Sequence, residues 1–262
     1  MAITPTLTDI ALASTLLLIT IGVSAYLRLG LVGTLIMAGV RTVVQLSMIG
    51  LILAWVFARE SEWQVLAILT VMTFIVSHSA KGQVKRPYKG LLSDSITSLS
   101  VATGVVTLIA MTLILKVSPW YHPQYIIPIL GLILGNSLTA ISLTTNELVN
   151  AMHDKQALIK SHLSLSATPF EAVHGLVKSA VLNGLTPTVN SMLVVGLVSL
   201  PGMMTGQILA GAEPTQAVRY QIVTMFFICA GSTLSCTLSA VLVVRRFFDE
   251  RGRFVLNTKT AP

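Results

Sequence analysis

The stretch IIPILGLILGNSLTAISL, residues 126–143, carries no charge and is built almost wholly from apolar and small side chains. A helix crossing the hydrocarbon core of a bilayer needs about 20 such residues. Outward from it the same texture recurs in Ile10–Leu27, Leu31–Phe57, Trp63–Val76, Ile96–Leu115, Val181–Leu200 and Ile222–Val244. Composition agrees. Of the 262 residues 53% are apolar and 10% charged, with a mean hydropathy of +0.81, whereas soluble domains carry about 25% charged residues. These values exclude a soluble enzyme, a nucleic-acid-binding domain and a disordered tail protein. They predict an all-α polytopic bundle of about seven transmembrane helices, a single membrane domain over residues 1–262 with a cytoplasmic connection at 147–180.

The net charge of +7 does not point to nucleic acid, because the basic residues lie between the apolar blocks, where they act as topology signals. Lys81, Lys85, Arg86 and Lys89 follow the third block; Lys155, Lys160 and Lys178 follow the fifth; Arg245, Arg246, Arg251, Arg253 and Lys259 follow the last. With Arg28 they mark one side as cytoplasmic, against Arg59, Lys116 and Arg219 on the other. An odd number of spans then puts the N-terminus outside and the C-terminus inside, with Trp55, Trp63 and Trp120 at the outer interface, where amphipathic rings prefer to sit. The first block has no basic residue before it and reads as a retained span rather than a cleavable signal. Cys229 and Cys236 stand seven apart within one block, a spacing suited to packing rather than metal or redox work. No phosphate-binding glycine loop, HExxH or GxSxG occurs, and the five histidines never stand at ligand spacing.

Several polar groups fall inside the predicted spans. Arg41 and Gln45 share a face of the second. Arg41 either faces a bundle interior or aqueous cavity or snorkels to the headgroups, with Asp94 and Glu147 as candidate partners. Gly131, Gly135, Thr139, Ser142 and Asn146 form one small, polar stripe on the fifth, suited to close helix approach within the chain or between subunits. Asn136, on an adjacent face, needs a hydrogen-bonding partner or cavity water. Asn183, Thr186 and Asn190 share a face of the sixth beside Pro187, which should interrupt the helix. Such a helix is tolerated where protein or water satisfies the freed groups, so it is a candidate solute path. The run Ser199 to Gly206, rich in Pro and Gly, predicts a bend or short re-entrant element. Its Met203 and Met204 are either soft metal donors or apolar packing.

The connection from Glu147 to Ala180 reads as helical, with an apolar stripe of Val149, Met152, Gln156, Ile159 and Leu163 that must pack on something. The helix should break near Ser164 to Ala167 and restart at Thr168-Pro169-Phe170-Glu171, where Thr168 suits the N-cap, Pro169 the first helical position and Glu171 the closing of a capping box. A short, firmly started helix projecting from a membrane bundle is either a docking element or a plain surface elbow.

The run LSLSATPFEA, residues 163–172, resembles the coupling segment of ATP-binding-cassette permeases, written around an LGA(S/T)P core, with Ser166 where that family usually has Gly. IPILGLILGN (127–136), TPTVN (186–190) and VGLVSLPGMMTG (195–206), together with Arg41 and Gln45, resemble the FetB-type permeases of iron-export ATP-binding-cassette systems, whose plant relatives are linked to aluminium tolerance. This resemblance implies a homodimeric membrane subunit in the cytoplasmic membrane if bacterial, in contact with lipid and with a separate cytoplasmic ATPase. It implies no cofactor in this chain, ATP-Mg residing on the partner. It assigns ATPase coupling to Leu163, Leu165, Ser166, Ala167, Thr168, Pro169, Phe170 and Glu171, while the polar groups of the sequence itself offer Arg41, Gln45, Asn136, Asn183, Thr186, Asn190, Met203 and Met204 along a path. These path groups are neutral oxygen and thioether donors apart from Arg41, with no carboxylate in the predicted spans. A bare di- or trivalent cation ordinarily asks for carboxylate or imidazole, so a complexed metal or an organic anion suits them better. A self-sufficient secondary transporter or channel is the rival reading. A membrane enzyme lacks any visible catalytic constellation.

Overall fold

The computed structural model describes residues 6–59 and 61–256; Glu60 and Lys259 lie outside them. Among the described residues all regular structure is helical: α1 (Leu7–Tyr26), α2 (Val32–Arg59), α3 (Glu62–Gln83), α4 (Leu91–Ile109, continued by a π turn over Ala110–Ile114), α5 (Pro123–Asp154), α6 (Gln156–Ser164), α7 (Pro169–Val194), α8 (Gly202–Leu209) and α9 (Pro214–Phe247). Their starts follow local chemistry. Thr6 and Asp9 close a capping box on α1, and Pro123, Pro169 and Pro214 occupy first-turn positions whose missing N–H costs nothing there.

Among the described residues six helices are long and apolar enough to cross a membrane: Thr8–Tyr26, Val32–Phe57, Glu62–Gln83, Leu91–Ile114, Pro123–Asp154 and Pro214–Phe247. The expected span Val181–Leu200 differs. Its helix is the second half of α7 and ends at Val194, and Lys178, Asn183, Thr186 and Asn190 dilute its apolar content. Nor does Pro187 break α7, which runs through it; the proline removes one rung, and Thr186 Oγ1 donates to the Leu182 carbonyl at 2.9 Å just before it. The bend expected around Ser199 is present as a non-helical link, 195–201, leading into α8.

The chain separates into two compact units, Met1–Ser61 with Leu209–Gly211, and Glu62–Ile208 with Ala212–Pro262. In the first, α1 and α2 pack together where Gly39 lies against Leu17. In the second, α5 is the central helix and packs on α3, α4, α7 and α9. Two glycines set the closest approaches. A Cβ on Gly184 of α7 would overlap Thr144 Oγ1 and the Ala140 carbonyl of α5, and one on Gly231 of α9 would overlap Ile133. Leu99, Leu130, Leu134 and Ile141 form one buried cluster with flanking Leu69 and Met72 of α3. A second gathers Leu148, Val149, Met152, Ile159, Val173, Val243 and Phe247 at the far end of α5.

Candidate functional site

That second cluster holds an elbow made by α6, α7 and the link between them. The stripe read from the sequence is its floor: Val149, Met152 and Ile159 are fully buried, while Gln156 and Leu163 are partly so. The long helix bends once more than expected, at Lys155 between α5 and α6 (φ −106°, ψ 29°), which keeps the stripe turned inward. The break after Ser164 is a Schellman motif: Ala167 N–H donates to the His162 carbonyl and Ser166 N–H to the Leu163 carbonyl, both at 3.1 Å. Ser166 is the left-handed residue of that motif, with φ +67°. The expected capping box is present. Thr168 N–H donates to Glu171 Oε2 at 2.8 Å, and Glu171 N–H to Thr168 Oγ1 at 3.4 Å. Thr168 holds the Glu171 carboxyl below the usual carboxylate range through its hydroxyl and backbone N–H.

At the turn of this elbow Leu165 at 78% exposure and Phe170 at 44% remain outside, the latter edge-on to His174, with Leu158 of α6 also exposed. Leu163 and Ala167 turn inward to the cluster, and Pro169 is half-buried. The elbow is braced by a hook after α9 that sequence reasoning missed. Phe248 pairs with Phe254, Val255 N–H donates to the Phe247 carbonyl at 2.9 Å, and Asp249 Oδ1 accepts from the backbone N–H groups of Arg251 and Arg253 at 3.0 and 2.7 Å. Those bonds, that to Arg253 first, hold the Asp249 carboxyl below its ordinary range. Gly252 (φ +72°) makes the turn and lies against Pro169. The signal was present in the sequence as aromatic residues bracketing Asp-Glu-Arg-Gly-Arg.

Of the two candidate partners for Arg41, Asp94 is paired instead with Arg246. Its carboxylate, 5% exposed, accepts from Arg246 Nη2 at 2.9 Å and from Nε at 3.2 Å, joining the start of α4 to the end of α9. Burial beside this pair, with the Asp94 charge adding to it, pushes the Tyr88 phenol well up. Arg41 and Gln45 both lie exposed on α2.

The stripe on α5 splits. Asn146 is structural: its amide donates to the Gln83 carbonyl and accepts from Lys85 N–H, each at 2.8 Å, fixing the α3–α4 connection. Ser142 is buried and Gly131 touches Met72. Gly135 and Thr139 are exposed, and a Cβ on Gly135 would meet nothing. Asn136 satisfies itself by donating to the Leu132 carbonyl at 2.8 Å. Asn183, Thr186 and Asn190 share the outward face of α7 as the spacing required. Met203, half-buried in α8, accepts from Thr224 Oγ1 at 3.8 Å, and Met204 beside it is also half-buried. Among the described residues no three His, Cys, Asp or Glu side chains gather as a metal site.

Six apolar helices of crossing length among the described residues define an α-helical integral membrane protein. The chain belongs to the uncharacterised protein family UPF0014, which it matches over residues 7–248. It is 39% identical to the UPF0014 membrane protein slr1647 of Synechocystis, over 87% of this chain and 88% of that one. It is 33% identical to the probable iron export permease protein FetB of Escherichia coli, over 95% and 94% of the two chains. To the Arabidopsis thaliana protein ALUMINUM SENSITIVE 3 it is 34% identical, over 92% and 86%. No solved structure matches.

Proposed function

We propose that this protein is the membrane-spanning permease subunit of an ATP-binding-cassette exporter, linked to iron or other metal homeostasis and driven by a separate ATPase. The observation that carries the reading is the elbow. A segment capped at both breaks and supported by a buried floor presents Leu165 and Phe170 outward, and an interface of this kind draws its energy from a few large apolar anchors. The relative named as an iron export permease supports the solute class. Counting the second half of α7 with the link that follows it, the expected span Val181–Leu200, gives seven spans with the N-terminus outside. The open Gly135 and Thr139 face of α5 suits a second copy, since small residues let membrane helices approach closely. Asn183, Thr186 and Asn190 supply neutral donors for a path. Arg41 favours an anionic chelate or organic anion over a bare cation.

The test is copurification of the chain with the products of its neighbouring reading frames, one of which this reading requires to be an ATP-binding-cassette ATPase. Phe170→Asp should abolish recovery of the ATPase while the protein remains in the membrane. Undiminished recovery would remove the elbow as the coupling element.

A further inference from the structure

Between the elbow and the C-terminal hook lies a cleft of about 470 Å³ whose walls include Lys160, Leu163, Pro169, Arg251, Arg253 and Phe254. Two of the carboxylates near it are already engaged. Asp249 pairs with Arg253 at 3.1 Å and holds the hook's backbone, Glu171 is bonded to Thr168, and Glu250 is not part of the lining. Lys160 and Arg251 are exposed and make no ion pair among the described residues. The cleft therefore holds two uncompensated cations on a framework fixed by the hook's hydrogen bonds and by Phe254, which stacks with Phe247 at 6.3 Å. Pro169 belongs both to this wall and to the coupling segment, so the cations stand beside Leu165 and Phe170.

Position argues against a lipid phosphate as the occupant. Asn146 is tied to Gln83, just past the charged Lys81 of α3, so the apolar layer ends no further along α5 than that level. Asp154 lies eight residues beyond Asn146, about 12 Å along the helix, and the elbow comes after it. The headgroup zone is only about 5–8 Å deep on each side.

We propose that this cleft is a second contact for the ATPase subunit, taking an Asp or Glu cluster of that protein between Lys160 and Arg251 while Leu165 and Phe170 make the apolar contact. This rests on the reading of the elbow as the coupling element. It makes the C-terminal hook half of the docking surface.

The experiment uses the chain in nanodiscs and the ATPase recovered in the copurification above. Lys160→Glu with Arg251→Glu should weaken binding about tenfold at physiological salt, and Lys160→Gln with Arg251→Gln should flatten the salt dependence of binding. Both pairs should melt at the wild-type temperature, because the substituted side chains are exposed. Wild-type affinity and salt profile in the charge-reversed protein, with Phe170→Asp still abolishing binding, would overturn the cleft and leave the elbow standing. Loss of the charge-reversal effect in nanodiscs of neutral phosphatidylcholine, with its return on adding phosphatidylglycerol, would assign the cleft to lipid and equally overturn the proposal.

Discussion

Helices α1 and α2 are almost as apolar as α5 and α9, yet only 6% of the most apolar window of each is buried, against 56% in α5 and in α9. Apolar content is therefore a statement about the solvent a helix can tolerate, not about its neighbours. What separates the two regions is where the small residues fall. In the core unit Gly184 sits against the α5 backbone at Ala140 and Gly231 against the Ile133 side chain, whereas in α1 and α2 Gly39 meets the Leu17 side chain but Gly22, Gly33 and Gly50 face open space. Exposed Leu12, Leu16, Leu18, Val43, Leu46 and Leu51 give lipid or a second protein surface something to cover, since a bare apolar face of that size marks an interaction or membrane surface.

The sharpest way to break this contrast is to add bulk at one glycine of each kind. Gly184→Leu forces a side chain into the Ala140 and Thr144 backbone seam and should cost about 3 kcal/mol, the upper end of overpacking penalties. Gly22→Leu, with nothing near, should stay within about 0.5 kcal/mol. Thermal unfolding of the detergent-solubilised protein measures both. If Gly22→Leu is harmless in detergent but prevents assembly in the membrane, the α1 face is a subunit contact rather than a lipid one.

A smaller effect is expected where α4 meets α9. Asp94→Ala removes a buried carboxylate that accepts from the half-exposed Arg246, whose Nη2 also donates to Ser93 Oγ at 3.3 Å. A charged hydrogen-bonded pair with one wet partner should be worth about 2 kcal/mol. The melting temperature should fall accordingly, and Arg246→Ala should fall further, because it strands the buried Asp94 charge. Equal and negligible losses in both would mean that the pair does not tie the two helices together.

How much of this was legible in the sequence depends on range. The capping box of Thr168 and Glu171, the inward stripe of Val149, Met152 and Ile159, and the outward face of Asn183, Thr186 and Asn190 are set by residues three to seven apart, so spacing alone places them. Asp94 and Arg246 are 152 residues apart, and Asn146 binds a connection 63 residues away; no periodicity encodes such pairings. The five-residue stripe on α5 shows the limit well. Its members do share a face in projection, but the neighbours that divide it into a structural end at Asn146 and an open end at Gly135 belong to other helices. The polarity of α7 was visible too. Its continuity through Pro187 was not, because a proline's effect depends on whether surrounding protein meets the freed carbonyl.

The smallest expected effect concerns a point where local sequence and local geometry disagree, one of three left-handed non-glycine residues, with Arg28 and Lys116, among the described residues. The Schellman motif that ends α6 requires a left-handed residue, a conformation that costs an L-residue about 1–2 kcal/mol and glycine almost nothing. Ser166 occupies it at φ +67°, its side chain exposed, so no packing is lost when that side chain is removed. Ser166→Gly should therefore stabilise the elbow, offset in part by the greater freedom of glycine in the unfolded chain, leaving a gain of about 0.5–1 kcal/mol. Because the elbow is a small local unit, the gain should appear first as slower hydrogen exchange at the Ala167 and Ser166 amides and only weakly in the global melt. Unchanged or faster exchange would mean that the hook and the buried floor already hold the turn so firmly that its backbone strain no longer governs opening.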